Sequence, residues 1–304
     1  MIYPNQLKKG DTIGIIAPSS PVAPDRVDKC IELLESMGYR VKTGKGCKME
    51  YHGYLAGIDE VRAEDINQMF ADQTVKGIFC LRGGNGSGRL MRLLDYNLIR
   101  QNPKVFVGYS DITNLHMAFN RLCGFVTYHG PMVSSNMLEH YDDYTRCSFE
   151  AVLNMEKYLE FTNPCDENIE CLIPGCAQGK LIGGNLSLLI NMLGTFYAPV
   201  MQGAILFIED IHENIANIDR MVGQLRLLGV FDQIAGLILG DFSECNNDGD
   251  PSFLIDEYIR DEFKDLKIPV LYKVKVGHCY PTGSFPMGAH CILNANDRKI
   301  IFAR

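Results

Sequence analysis

The sequence predicts an α/β protein in two parts: an N-terminal parallel-sheet α/β domain, then a C-terminal α/β domain rich in strands. Three observations predict it. Through residues 1–140, short β-branched runs alternate with segments of helical apolar spacing, the βαβ rhythm of a parallel sheet. Between 141 and 165 the rhythm weakens into a polar connection, and from 166 to 304 a new set of strand-like runs begins. The length of 304 residues allows two domains of ordinary size.

Taken in order, 12–17 is an apolar strand that runs into Pro18-Ser19-Ser20-Pro21, and 26–37 is an amphipathic helix closed by Gly38. A short strand at 40–43 and a helix at 58–71 with acidic residues near its start follow. The strand 75–81 leads into the loop Gly83-Gly84-Asn85-Gly86-Ser87-Gly88 and a helix at 89–95. Next come the strand 105–108, a helix at 112–122, the strand 125–128 and the loop His129-Gly130-Pro131. One helix, 144–155, crosses the connection before the polar run 163–168. The second half has strands at 179–182, 204–209, 235–240 and 270–273, with helices at 185–193, 215–228 and 253–263. It closes with a hairpin, 291–293 and 299–302, turned by Asn294-Ala295-Asn296-Asp297.

Composition narrows the partners. Hydrophobic residues make up 46% and charged residues 22%, as in a folded soluble chain. A net charge of −8 with no run of Lys or Arg argues against a nucleic-acid footprint. The N-terminus lacks the pattern of a signal peptide and no apolar stretch matches a membrane span, so a cytoplasmic protein with no membrane partner is expected. Eleven cysteines, odd in number and without a CxxC pair, suit a reducing compartment. Cys165, Cys171 and Cys176 form the closest group, but no His lies among them and their spacing matches no common zinc module, so no metal and no cofactor is expected.

The chemistry starts at Val105-Phe106-Val107-Gly108-Tyr109-Ser110-Asp111. Strand, tight turn and helix would lift the Ser110 hydroxyl to the carboxyl edge of the sheet, near free helix N–H groups. Gly108 fits a nucleophile elbow, although Ile112 replaces its second glycine. A plainer reading has Ser110 only capping the helix that follows. A nucleophilic serine needs a base and the base an orienting carboxylate. Of seven histidines, His278 lies in a rigid Gly/Pro loop just after a strand; His212 and His129 also sit in loops, and His116 on the elbow helix. Glu209 ends the apolar strand Ile205-Leu206-Phe207-Ile208 and would meet the same sheet edge, or else be merely solvated. The amides of Gly83, Gly84 and Asp111 are candidate oxyanion donors. The same Gly-rich loop also reads as a weak phosphate cradle.

Six stretches together resemble the LD-carboxypeptidases of the S66 serine-peptidase group. They are Gly10-Asp11 through Pro21, Arg82-Gly83-Gly84-x-Gly86, Gly108-Tyr109-Ser110-Asp111-Ile112-Thr113, Gly183-Gly184-Asn185-Leu186-Ser187, Phe207-x-Glu209-Asp210, and Gly277-His278 before Pro281. The resemblance implies a flavodoxin-like or amidotransferase-like first domain, a β-rich second domain, a site between them and a homodimer. It implies a catalytic triad of Ser110, Glu209 and His278, an oxyanion hole from the backbone of Gly84 and Asp111, and hydrolysis of the L,D-amide bond of murein tetrapeptides. Asn85 stands where many relatives have Tyr, and the chain has no Trp, whereas the related microcin immunity peptidases stack an adenylate on aromatic residues, Trp among them. Arg82 and Arg220 are candidate partners for a substrate carboxylate, with Asn85 beside them; Glu244, Asp248 and Asp250 form an acidic loop. Alternatives are cleavage of peptidyl-aminoacyl-nucleotide amides, a non-catalytic nucleotide- or cell-wall-peptide-binding protein, and a phosphoryl-transfer or NAD-type enzyme.

Overall fold

The computed structural model describes residues 1–164 and 167–304. Two sheets carry the fold. The first uses β1 (Thr12–Ile16), β2 (Arg40–Thr43), β3 (Val75–Cys80), β4 (Val105–Gly108) and β5 (Thr127–His129), all paired in parallel. The second runs, edge to edge, from β6 (Tyr158–Phe161) through β14 (Lys299–Ala303), β13 (His290–Asn294), β8 (Cys176–Asn185), β9 (Ile205–Ile211), β10 (Gly236–Ser243) and β11 (Val270–Tyr272) to β7 (Glu170–Ile173). Its middle four strands, β8 to β11, are parallel, and the flanking pairs are antiparallel. The first sheet is completed by β12 (Phe285–Met287), which leaves the second half of the chain and pairs antiparallel with β5.

Period-two burial explains the strands. In β3 and β4, Ile78 and Phe106 point into one core with Leu206 and Ile208 of β9, while Phe79, Val105 and Val107 point into another with Ile13 and Ile15. A parallel strand covered on both faces reads as a continuous apolar run, and these do. Because the first core takes side chains from both sheets, the sheets hold one another in place.

The predicted elements stand with several differences. Instead of a helix over 89–95 there is a tight 3₁₀ turn at Ser87–Leu90, and the α-helix is Tyr96–Gln101. Asp95 does not end a helix; it begins one, its carboxylate accepting from the Asn97 and Leu98 amides as an N-cap. The segment expected as one helix over 112–122 is a 3₁₀ turn at Ser110–Ile112, an α-helix at Thr113–Ala118 and a wider π turn at Phe119–Cys123. The stretch read as a connection, 141–165, carries its expected helix, at Asp143–Leu153, and also the edge strand β6, which was not expected. His129, placed in a loop, lies inside β5. Strands β6, β7 and β12 are short edge strands, and β12 contains Pro286, which an edge tolerates and a sequence reader takes as a break.

Cys165 lies outside the described residues. Cys171 and Cys176 are free, and no group of three metal-ligating side chains occurs among the described residues.

Candidate active site

β4 ends at Gly108, and the chain turns sharply through Tyr109 into Ser110, which is half-buried with φ +63°. A left-handed backbone at a non-glycine residue costs about 1–3 kcal/mol and persists only where its surroundings fix it. Here they do. A Cβ at Gly83 would come within 2.8 Å of the Ser110 Cβ, 3.0 Å of its Oγ and 3.4 Å of the Asp111 amide nitrogen, so the glycine loop after β3 packs directly on the elbow. Ser110 opens the 3₁₀ turn, the caps of that turn and of the next helix being Tyr109 and Ile112, and its hydroxyl makes no capping bond among the described residues, which speaks against the plainer reading.

Glu209 and His278 reach the same place from the second sheet. Glu209 lies in β9, fully buried, and its Oε2 is 2.7 Å from His278 Nδ1. The approach depends on Gly277, φ +127°, because a Cβ there would sit 2.6 Å from Oε2. His278 occupies the chain between β11 of the second sheet and β12 of the first, so the crossover strand delivers the imidazole to the elbow. The His278 ring centroid lies 4.9 Å from that of Tyr109, the residue before Ser110. No hydrogen bond links Ser110 to His278 among the described residues; in unliganded sites such bonds are commonly long and tighten with substrate.

Electrostatics set the protonation states. Burial works against an imidazolium at His278, but the Glu209 carboxylate overrides it and holds the pKa above 6.5. Burial raises the Glu209 carboxyl, opposed by the charge and hydrogen bond of His278. The other buried histidines are kept neutral: burial lowers His116 to about 4, and drives His129 well below its ordinary value. His116 is spent on the Gly108 carbonyl, with Nε2 2.8 Å from it, and His212 is exposed against Glu244.

The remaining motif residues fall around this centre. Gly184 packs against Thr113 just past the elbow, and the Asn185 amide donates to Thr113 Oγ1 at 3.1 Å, docking β8 onto the elbow helix. Asp210 accepts from Asn185 Nδ2 at 2.8 Å and from the Ser187 amide and hydroxyl, fixing the strand that carries Glu209. Arg82 is exposed, one residue before Gly83, and in no salt bridge or hydrogen bond among the described residues; Asn85 is exposed two residues beyond Gly83. Arg220 instead bonds Asn217 on its own helix at 2.5 Å. The acidic loop is occupied locally, Asp248 by Asn214, Asp250 by Ser252 and Glu244 by His212. Sequence reading gave no role to Ser19, Ser20, Ser87, Arg62 or Tyr109, all of which contact the elbow or its loops. Ser87 and Tyr109 adjoin glycines, Ser19 and Ser20 stand in a Pro-flanked turn and Arg62 lies in a helix, settings too common to single them out.

A serine on a strand-to-helix turn, backed by a carboxylate-held imidazole, belongs to the serine hydrolases. Comparison with known proteins narrows this class. The LD-carboxypeptidase N-terminal domain family matches residues 13–130 and the LD-carboxypeptidase C-terminal domain family residues 178–293. A probable murein peptide carboxypeptidase of Bacillus subtilis is 40% identical over 98% of this chain and 93% of its own length. The structure of muramoyltetrapeptide carboxypeptidase from Oxalobacter formigenes superposes with a TM-score of 0.83 at 30% identity, covering 96% of this chain and 97% of that one. The microcin C7 self-immunity protein MccF in complex with aspartyl sulfamoyl adenosine superposes with a TM-score of 0.92 at 27% identity, covering 100% and 99%. The chain belongs to the LD-carboxypeptidase family and is a serine peptidase of that type.

Proposed function

We propose that this protein is a serine carboxypeptidase that cleaves the L,D-amide bond of murein tetrapeptides, releasing the terminal D-Ala. The observation that carries the assignment of roles is the 2.7 Å contact between His278 Nδ1 and Glu209 Oε2, presented beside a strained Ser110. Glu209 fixes the tautomer with the proton on Nδ1, leaving Nε2 unprotonated for use as a base. Nε2 takes the Ser110 proton as Oγ attacks the amide carbonyl. The amides of Gly84 and Asp111 hold the resulting oxyanion, and removing one such donor typically costs about 10²–10³ in rate. The His278 imidazolium, stabilised by Glu209, protonates the leaving amine of D-Ala. Water, deprotonated by His278, then releases the tripeptide from Ser110.

The terminal carboxylate of the substrate needs a cation. Arg82 supplies it in this reading, since it borders Gly83 and is not committed to another of the described residues. Asn85 lines the same rim, and Arg220 is the lesser candidate because Asn217 holds it. We further assign the enzyme to the cytoplasm as a homodimer. The ten described cysteines are all free, no described helix is long and apolar enough to cross a membrane, and Phe196 and Val200 expose 70% and 60% of their surface.

Incubation with a murein tetrapeptide and, separately, a peptidyl-adenylate, followed by mass spectrometry, tests the substrate. Release of D-Ala from the tetrapeptide is expected. Cleavage of the adenylate alone would move the protein to the microcin-immunity branch, and binding without turnover would make it a binding protein.

A further inference from the structure

The loop after β1, Pro18-Ser19-Ser20-Pro21, has no part in the chemistry described, yet it touches both halves of the proposed oxyanion hole. The donors at Gly84 and Asp111 come from separate loops, after β3 and after β4. Nothing in the strands alone fixes the gap between them. β1 lies on the far side of β3 from β4, so its loop must reach across the β3 loop to touch the elbow.

It does so through two adjacent hydroxyls. Ser19, fully buried, donates from Oγ to Asp111 Oδ2 at 2.5 Å, across 92 residues of sequence. Ser20 grips the glycine loop: its Oγ accepts from the Asn85 amide at 3.1 Å, and its own amide donates to the Gly83 carbonyl at 3.3 Å. Gly84, φ +111°, lies so close to Ser20 that a Cβ would overlap the hydroxyl. The Asp111 carboxylate, 2% exposed, also accepts from the Ser87 amide at 2.8 Å, and the Ser87 hydroxyl donates to the Asp111 carbonyl at 2.6 Å. Arg62, buried beneath, donates to the carbonyls of Pro18 and Gly86 and so ties the same two loops from below.

We infer that Ser19 and Ser20 are positioning residues that clip the Gly84 and Asp111 amides at the spacing an oxyanion requires. The inference rests on the reading of Ser110 as nucleophile. Its physical basis is preorganisation: donors already aimed where charge develops stabilise the transition state without reorganising, whereas ground-state binding of a neutral carbonyl asks little of them. Losing the clip therefore lowers kcat and leaves KM nearly unmoved; a smaller folded fraction would also lower apparent kcat, but it would cut the amplitude of Ser110 labelling and not its rate constant.

The test uses full-length Ser19→Ala, Ser20→Ala and the double variant. It measures kcat and KM on the tetrapeptide, thermal unfolding, and the rate at which a fluorophosphonate labels Ser110. That reagent's phosphoryl oxygen also draws on the hole, independently of peptide recognition. The double variant is expected to lose roughly 10–100-fold in kcat and in labelling rate, with KM within about threefold and a cooperative unfolding transition retained. Folded variants that label at the wild-type rate, or that lose only KM, would overturn the clip. A wild type that labels but releases no D-Ala would overturn the substrate reading and leave the labelling comparison to decide the clip. A wild type inert to both would overturn the nucleophile, and the clip with it.

Discussion

The two halves of the site each contain a buried carboxylate, and the two are held very differently. Asp111, on the elbow side, accepts a hydroxyl and a backbone amide; its loop is stitched to two others by the Ser19 and Ser87 hydroxyls, and Arg62 ties those two to each other. Glu209, on the base side, has one hydrogen bond, to His278, and its Oε1 has no partner among the described residues. The elbow half is over-determined, so removing any one tie leaves others in place. The base half hangs on a single buried pair, where deleting one member strands the other charge. Geometry that must stay still is held by several hydrogen bonds among three loops, and geometry that must change charge is held by one ionic bond.

Substitutions of the reacting groups break this contrast most severely. Ser110→Ala is expected to lower kcat about 10⁶-fold while keeping substrate binding and an unchanged unfolding transition, measured by D-Ala release and calorimetry. Glu209→Gln keeps the shape but disfavours the productive tautomer, and is expected to cost about 10⁴-fold in kcat. This loss exceeds that expected for any single tie of the elbow. Arg82→Ala is expected to raise KM roughly 10–100-fold with kcat nearly unchanged, the signature of a lost charged contact to the substrate carboxylate. Gly277→Ala forces a side chain into a left-handed position against Glu209 Oε2; a destabilisation of about 1–3 kcal/mol, read by denaturant unfolding, should accompany loss of activity.

The pH dependence sharpens the same contrast. His278 acts as a base only when neutral, and Glu209 holds its pKa above 6.5. Hence kcat/KM should rise with pH along a limb centred above 6.5, and Glu209→Gln should move that limb down. Stability runs the other way. A raised histidine pKa contributes stability that is full below about 6.5 and is lost as pH rises through the folded value. The wild type should thus lose unfolding free energy between mildly acidic and alkaline pH more steeply than Glu209→Gln does.

What the sequence disclosed follows the same division. The elbow is local: an apolar strand, Gly108, Ser110 and an apolar-spaced segment follow one another over 105–122, so a reader of spacing finds it. Just upstream of it Asp95 misleads, because a residue that caps the next helix looks like the end of a previous one. The base half is not local. Choosing His278 among seven histidines required the family resemblance, because the strand that brings it to Ser110, β12, is three residues long and contains Pro286. His129 looked like a loop histidine only because β5 is also three residues long. Ser19 and Ser20 were visible as a Pro-flanked turn, but their partners are 92 and 65 residues away, a relation no local pattern carries.

A double-variant cycle on the base half tests most directly whether Glu209 acts through His278. With kcat/KM measured for Glu209→Gln, His278→Ala and the pair together, the expected result is that the double variant is no slower than His278→Ala alone. Losses that multiply would mean that Glu209 serves the reaction independently of the imidazole, and would contradict a triad assembled across the two sheets.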